Sequence, residues 1–191
     1  RPSLDFPAAA FSFGNMTKDD LKRTSKYLSY ILRHAPDSIG LTLDAQGWAQ
    51  VADLIAKSEH PLTHDLIAEV VRTNAKQRFS LNLDGSRIRA NQGHSIQVDL
   101  GLAPKTPPSI LFHGTAKTNL ASIRQNGLLK GTRHHVHLSD NTATAKAVGG
   151  RHGSPVVLTI RTEEMAQNGH TFYQSANGVW LVDHVPPQFL E

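Results

Sequence analysis

The 191-residue sequence contains no cysteine. This absence excludes disulfide bonds, zinc sites built from thiolates and cysteine nucleophiles. The sequence also lacks an apolar run of the roughly 20 residues that a membrane-spanning helix needs, and it shows no secretory signal pattern. From the last two absences we expect a soluble, intracellular protein of the cytoplasm that has no membrane partner.

Several common catalytic motifs are also missing. There is no Walker phosphate loop, no Gly-x-Gly-x-x-Gly, no Gly-x-Ser-x-Gly and no His-Glu-x-x-His. The adjacent carboxylates Glu163-Glu164 fall in the first turn of a predicted helix, where a capping role is favoured. Catalysis by paired carboxylates is therefore not expected. Any catalysis has to rely on arginine and histidine, which stabilise anions and hold phosphates.

Positive charge is present in moderate excess. The formal net charge of +4 and the isoelectric point near 9.5 permit nucleic-acid binding without requiring it. Two basic segments, residues 72–94 and 130–152, indicate two anionic ligands or one long one, and a solvated basic face is the alternative. Their basic residues are Arg72, Lys76, Arg78, Arg87 and Arg89 in the first segment and Lys130, Arg133, Lys146 and Arg151 in the second.

The first half of the chain has the pattern of a small helical module. Thr17-Lys-Asp-Asp20 resembles a capping box and predicts that a helix begins there and ends near Arg33-His34. The apolar stripe of this helix consists of Leu21, Leu28, Ile31 and Leu32.

The next elements complete the order of a winged-helix module. We predict a short strand at residues 41–43, Trp48 as a core anchor, and helices at residues 51–58 and 63–74. Alternating apolar residues on both sides of Asp84-Gly85 predict a β-hairpin. Three helices followed by a hairpin are typical of a winged helix, although other small α+β domains share this order.

The second half of the chain has a different texture. Residues 101–109 are rich in proline and lack periodicity, so we place a linker there. We predict strands at residues 110–113, 136–138, 156–160 and 179–182, and helices at 119–125 and 141–148 that are closed by Gly127 and by Gly149-Gly150. The predicted division is a leader or cloning remnant at residues 1–15, one domain at 16–100 and a second at 110–191.

The segment Arg87-Ile-Arg-Ala-Asn-Gln-Gly-His-Ser95 follows the predicted hairpin turn and has the composition of a phosphate site. In an extended stretch Arg87 and Arg89 project to the same face, so two guanidinium forks can converge on one anion. A solvated hairpin with surface arginines is the alternative.

The histidines allow two interpretations. His134, His135 and His137 could form a metal site, but strand alternation directs His134 away from the other two, so no metal is expected. We interpret His137 instead as a polar residue at a strand end that lines a cleft. Phe112-His-Gly-Thr115 ends a predicted strand, and its glycine would let a ligand approach the backbone closely.

Six ordered motifs in residues 24–187 resemble those of the RNA 2′-phosphotransferase family of the KptA type, the enzymes of tRNA splicing and related phosphate removal. Any one motif alone would be weak, whereas six in order are specific. They are Leu28-Ser-Tyr-Ile-Leu-Arg-His34, Lys76-Gln-Arg-Phe79, Ile88-Arg-Ala-Asn-Gln-Gly-His-Ser95, Leu111-Phe-His-Gly-Thr115, His135-Val-His-Leu-Ser139 and Asn177-Gly-Val-Trp-Leu181.

The resemblance implies an α+β protein with two lobes, an N-terminal winged-helix lobe for RNA and a C-terminal ADP-ribosyltransferase-like lobe of mixed β structure for NAD⁺. It also implies a two-step reaction. The RNA 2′-phosphate first displaces nicotinamide from NAD⁺ and gives RNA-2′-phospho-ADP-ribose. The ribose 2″-hydroxyl then attacks that phosphate and releases 2′-hydroxyl RNA and ADP-ribose 1″,2″-cyclic phosphate. NAD⁺ is consumed as a co-substrate, no metal takes part, and the partner is 2′-phosphorylated RNA such as tRNA.

The resemblance also implies site residues, which we list by expected role in a protein expected to be a monomer. The catalytic residues are Arg33, His34, Arg89 and Arg151. The NAD⁺-binding residues are His113, Gly114, Thr115, Asn126, Gly127, Arg133, His137, Ser139 and Val179; for Arg133, pyrophosphate binding and plain solvation remain open. The RNA- and phosphate-binding residues are Arg33, His34, Arg78, Arg87, Arg89, Asn91, Gln92 and His94.

Chemical reasoning agrees with this set of residues. A phosphomonoester has a second pKa of about 6 and is largely dianionic at neutral pH, so the first step needs no strong base. The resemblance places Val179 at or beside the position where the wider ADP-ribosyltransferase superfamily has a glutamate, which argues against protein ADP-ribosylation. Whether His34 binds the phosphate or accepts the 2″-hydroxyl proton stays open.

Two other functions remain possible: a transferase that caps terminal nucleic-acid phosphates with ADP-ribose, and a non-catalytic winged-helix nucleic-acid-binding module.

Overall fold

The computed structural model describes residues 16–191, and it has the α+β architecture that the sequence predicts. The predicted leader, residues 1–15, lies outside the described residues. Every helix within residues 16–191 is too short or too polar to span a bilayer.

Within residues 16–100 the structure has three α-helices and one small antiparallel sheet. The first helix begins after Thr17, whose side chain and that of Asp20 form the predicted capping box. The central strand of the sheet is β3, with β1 on one side and β2 on the other. The elements are α1 (Lys18–Arg33), a 3₁₀ turn (Pro36–Ile39), β1 (Ala49–Gln50), α2 (Val51–Lys57), α3 (His64–Thr73), β2 (Phe79–Leu81) and β3 (Arg87–Ala90).

Two predictions for this half are wrong. Residues 41–43 form no strand, because the chain turns just after them: the Asp44 carboxylate accepts the backbone N–H groups of Gln46 and Trp48. The first strand of the sheet is β1 instead. Trp48 is only half-buried, and its ring faces two arginine side chains rather than the core.

The second half of the chain contains short strands in three small antiparallel sheets. Strand β4 pairs with β7, β9 lies between β6 and β8, and β5 pairs with β10. A β-bridge between Phe112 and Ser139 joins β4 to the end of β6. The elements are β4 (Leu111–Ala116), a 3₁₀ turn (Lys117–Asn119), α4 (Leu120–Asn126), β5 (Leu128–Leu129), β6 (Val136–Leu138), α5 (Thr142–Gly149), β7 (Pro155–Ile160), α6 (Thr162–Gln167), β8 (Phe172–Gln174), β9 (Trp180–Val182), β10 (His184–Val185) and a 3₁₀ turn (Pro187–Phe189).

Buried apolar side chains form two separate clusters, one in each half. The first cluster includes Leu28, Leu54 and Ile88, and the second includes Leu111 and Phe172. Between them, residues 101–109 contain no helix or strand, as the proline content predicts. The halves touch through polar contacts: the Asn177 side-chain amide donates to the carbonyl of Lys76 at 3.0 Å, and His134 Nε2 donates to the carbonyl of Ile96.

Helix α5 packs directly on strand β4, and two glycines make this possible. A Cβ atom on Gly114 would lie 1.6 Å from the carbonyl oxygen of Ala145 in α5. A Cβ atom on Gly149 would lie 2.7 Å from the carbonyl oxygen of Thr115 in β4. Gly114, the glycine of Phe112-His-Gly-Thr115, is therefore required because helix α5 approaches the strand backbone closely.

We expect Gly114→Ala to lower the free energy of unfolding by at least about 2–3 kcal/mol, because the helix and strand backbones have to separate. Urea unfolding measures this change. Gly150→Ala at the end of α5 is the matched control, since Gly150 has helical φ and its nearest neighbour would lie 3.5 Å from an added Cβ. Equal destabilisation by both variants would contradict the packing argument.

Candidate functional site

The end of α1 is held against the segment that follows β3. The backbone N–H of Ser95 donates to the carbonyl of Arg33 at 3.0 Å, and Ser95 Oγ lies 2.8 Å from His34 Nδ1. Gly93 has a φ of +87° and lies so close to Arg33 that an added Cβ would be 3.5 Å from its guanidinium. Arg33 and His34 are thereby brought beside residues 91–95.

Asn91 anchors this segment from within. Its side-chain amide donates to the carbonyl of Gln77 at 2.6 Å and accepts the hydroxyl of Ser80 at 2.6 Å. Its backbone N–H donates to the carbonyl of Arg78 at 2.9 Å. Asn91 is buried, so its polar groups serve the loop, and the predicted contact with phosphate would have to use its remaining hydrogen-bonding capacity.

A cleft of about 510 Å³ lies between the two halves and is lined by residues from both. We call it the inter-core cleft. Within residues 16–191, its charged lining residues are six cations, Arg33, Lys76, Arg78, Lys130, Arg133 and Arg151, and one carboxylate, Asp140. The other predicted site residues that line the cleft are Gln92, His113, Gly114, His137, Ser139 and Val179.

Two arginines, Arg33 on the cleft wall and Arg89 in β3, have unsatisfied polar atoms. Nε and Nη2 of Arg33 and Nε of Arg89 are buried without a hydrogen-bond partner among the described residues. Burial, reinforced by the charges of Arg78, Arg133 and Arg151, lowers the pKa of Arg33 to about 10. Burying a cation without a counter-ion costs free energy, and a bound anion would remove that cost.

Arg89 rests on an aromatic ring. Its guanidinium lies 4.7 Å from the centroid of the Trp48 ring, and that of Arg87 lies 5.6 Å from it, so both arginines share one face of β3. Arg87 also lies 3.6 Å from the Asp44 carboxylate. Arg87 is thus partly neutralised, whereas Arg89 makes no ion pair within residues 16–191.

Two neutral histidines lie on the cleft wall. His113 Nδ1 donates to the carbonyl of His137 at 2.9 Å, and an Arg133 guanidinium N–H donates to His137 Nδ1 at 3.2 Å. Burial, with Arg133 as the next cause, lowers the pKa of His137 to about 3, and burial lowers the pKa of His113. Both rings are therefore uncharged at neutral pH.

The other two histidines of this stretch point to different neighbours. His134 binds the carbonyl of Ile96, and the ring of His135 lies 5.5 Å from that of Tyr173. Both residues precede β6, so their divergence belongs to the loop before the strand and does not test the predicted strand alternation.

Some predicted site residues do not line the inter-core cleft. Thr115 is buried and accepts a hydrogen bond from Asn119. Gly127 ends α4 with a φ of +76°, and a Cβ there would lie 2.0 Å from the carbonyl oxygen of Val185. The backbone conformation and the packing at this position therefore explain why the residue is glycine. The remaining predicted residues outside the cleft lining are His34, Arg87, Arg89, Asn91, His94 and Asn126.

Lys76 and Asn177 line the cleft, although neither is among the site residues that the family resemblance implies. Both lie inside the motifs that carry the family resemblance, and that position was the available signal. Asn177 also makes the hydrogen bond that joins the two halves at Lys76.

Comparison with known proteins gives a consistent result. A family profile described as RNA 2′-phosphotransferase, Tpt1 / KptA family, matches residues 19–184. The chain is 57% identical over 172 residues to a probable RNA 2′-phosphotransferase of Acaryochloris marina, which covers 88% of this chain and 95% of the relative. It is 51% identical over 179 residues to proteins of the same description from Nostoc punctiforme and Pseudomonas aeruginosa, covering 92% of this chain and 99% and 98% of those relatives.

The buried histidine His94 generates a prediction about acid stability. Burial, with Arg33 as the next cause, lowers its pKa to about 4, whereas an unfolded histidine has a pKa near 6.5. Between these values the unfolded chain binds a proton that the folded chain excludes. His94 therefore makes its full contribution to the free energy of unfolding above about pH 6.5. That contribution decreases as the pH falls toward 4, by up to about 1.4 kcal/mol per pH unit.

Urea unfolding over a series of pH values in this window measures the effect. We expect His94→Gln to reduce the pH slope by about one proton, even if the variant is less stable at every pH. His152→Gln, at an exposed histidine, is the control. A slope in His94→Gln equal to that of the unaltered protein would contradict the assignment.

Proposed function

This chain belongs to the RNA 2′-phosphotransferase, Tpt1 / KptA family, and from that premise we propose that it transfers an internal RNA 2′-phosphate to NAD⁺. The proposed products are 2′-hydroxyl RNA, nicotinamide and ADP-ribose 1″,2″-cyclic phosphate. We also propose that the first half of the chain acts as a winged-helix lobe for RNA and the second as an ADP-ribosyltransferase-like lobe for NAD⁺.

The observation that carries this proposal is the unpaired arginine charge at the junction of the halves. Arg33 and Arg89 have buried donors without partners, and Arg78, Arg133 and Arg151 lie near enough to Arg33 to lower its pKa. A dianionic phosphomonoester supplies both the missing acceptors and the missing negative charge. Because its ionised oxygens are already nucleophilic, the site needs no strong base, and Asp140 is the one carboxylate on the cleft wall among the described residues.

The inter-core cleft has properties that suit NAD⁺. Its volume of about 510 Å³ falls within the range of small-molecule and cofactor sites. When bound, NAD⁺ would supply an electrophilic ribose carbon and nicotinamide as the leaving group. Lys130 and Arg133 could bind the pyrophosphate, and the neutral rings of His113 and His137 would not repel the positively charged nicotinamide.

We assign the reacting phosphate to Arg33, Arg89 and Arg151, which would hold it in line and stabilise the charge that builds on its oxygens. Burial, with Arg33 and Arg133 as further causes, lowers the pKa of His34, so its ring is largely neutral at physiological pH. A neutral imidazole held at Ser95 can accept a proton from a ribose hydroxyl. Such a role would explain a histidine next to Arg33.

The direct test is incubation of the protein with NAD⁺ and a short RNA that carries one internal 2′-phosphate, followed by mass spectrometry of both product pools. We expect 2′-hydroxyl RNA together with ADP-ribose cyclic phosphate. Accumulation of ADP-ribosylated RNA would support a capping transferase instead, and no reaction at all would favour a binding module.

Arginine variants test the phosphate site. We expect Arg33→Ala, Arg89→Ala or Arg151→Ala to reduce turnover by about 10³-fold or more, as loss of a transition-state arginine does in phosphoryl transfer. Arg124→Ala, at an exposed position on α4, should retain activity. A folded Arg89→Ala protein with normal turnover would refute the proposed role of Arg89.

Trp48 variants test how Arg89 is positioned. Removing the ring by Trp48→Leu should lower kcat/KM by about 3- to 30-fold, which corresponds to a cation–π contribution of about 0.5–2 kcal/mol. Trp48→Phe keeps an aromatic face and should retain most of the activity. Thermal unfolding of both variants controls for loss of structure, and equal activity of Trp48→Leu and the unaltered protein would show that the ring does not position Arg89.

A further inference from the structure

A second basic depression lies between helices α1 and α3, next to the inter-core cleft. We call it the α1–α3 groove; its volume is about 570 Å³. It shares Arg33, Ala75, Lys76, Arg78 and Arg151 with the cleft, so the two are continuous. Its other lining residues are Leu21, Lys22, Ser25, Lys26, Ser29, Val70, Thr73 and Asn74.

Among the described residues that line the groove, every formal charge is positive. Its charged lining residues are Lys or Arg in every case, and none of them makes an ion pair with a carboxylate in the part of the chain from residue 16 onward. Two acidic residues of these helices are used elsewhere: Asp20 pairs with Arg23 and Glu69 with Arg72, each at 2.7 Å. Asp19, in the first turn of α1, makes no ion pair within residues 16–191. Because these ion pairs form within each helix, Lys22 and Lys26 are left available to bind an external anion.

The groove-lining residues of α1 are spaced so that they can contact a ligand with regularly repeated anionic groups. Lys22, Lys26, Ser29 and Arg33 follow one another at intervals of four, three and four residues, so they form one stripe along the helix. The stripe is about 16 Å long at a rise of 1.5 Å per residue, and it ends at the cleft. A stacked strand has one phosphate per about 3.4 Å, so the stripe faces about five nucleotides at most.

The lining chemistry also indicates which part of a nucleic acid would bind. The hydroxyl groups of Ser25 and Ser29 and the second amide N–H of Asn74 add hydrogen-bond donors for phosphate or ribose oxygens. The Thr73 hydroxyl already donates to the carbonyl of Glu69. Among the residues described, no aromatic side chain lines the groove, so it offers no platform on which a base could stack. Recognition here would depend on the backbone and not on sequence.

We propose that the α1–α3 groove binds the sugar-phosphate backbone of a single RNA strand on one side of the 2′-phosphorylated nucleotide, with Lys22 and Lys26 as the distal contacts. This inference rests on the proposed function, because the strand enters the groove from the phosphate site at Arg33. It adds to the proposed function a path that the RNA strand follows across the protein, and a contribution to binding affinity that depends on the length of the RNA.

Binding without NAD⁺ provides the first test. The affinity of the Lys22→Gln/Lys26→Gln variant for a short labelled single-stranded RNA is measured by fluorescence anisotropy over a series of KCl concentrations. Each lost phosphate contact lowers the salt slope by about 0.7, so we expect a decrease of about 1.4 and on the order of tenfold weaker binding at low salt. The Lys117→Gln/Arg124→Gln variant removes two exposed charges outside both cavities and should match the unaltered protein.

Turnover separates this inference from the proposed function. Substrates are a 2′-phosphorylated dinucleotide and longer RNAs extended on either the 5′ or the 3′ side. We expect the double lysine variant to process the dinucleotide normally and to lose kcat/KM for only one of the two extended substrates. An unchanged salt slope, or an equal loss on all substrates, would overturn the groove assignment. If the unaltered protein turned over no substrate, the proposed function would fail, whereas the binding assay would still test the groove.

Discussion

The constraint on which the site depends is the burial of Arg33 among like charges without a counter-ion. Arg33 lies among Arg78, Arg133 and Arg151, and both Arg33 and Arg89 have buried donors without partners. Mutual repulsion and lost hydration make this arrangement unfavourable in the free protein. The two apolar clusters on either side supply the folding free energy that offsets this cost. A phosphate ligand would remove the same cost, so the strain of the free site favours anion binding.

Local structure holds these arginines without neutralising them. A carboxylate partner would fix a guanidinium but would cancel the charge that the site needs. Arg89 instead lies on the Trp48 ring, and Arg33 is held by the backbone contact of its carbonyl with Ser95. The exposed Arg23, which has no such role, is paired with a neighbouring carboxylate.

Close backbone packing makes the second wall of the cleft. Gly114 lets α5 lie directly on β4, and the Phe112–Ser139 bridge joins β4 to β6. These contacts bring His113 beside His137 at hydrogen-bond distance. The paired neutral imidazoles therefore result from strand packing between segments that are distant in the sequence.

Short-range sequence patterns are sufficient to predict the local elements and the chemically active residue types. The capping box at Thr17, the period of α1 and the turn at Asp84-Gly85 are short-range patterns, and the structure confirms each of them. Tertiary structure decided which residues meet. The turn at Asp44 replaced the predicted strand, and Trp48 left the core to lie against Arg89. Periodicity reports only which face of an element is apolar, whereas burial, unpaired donors and arginine clustering depend on contacts between segments far apart in the chain.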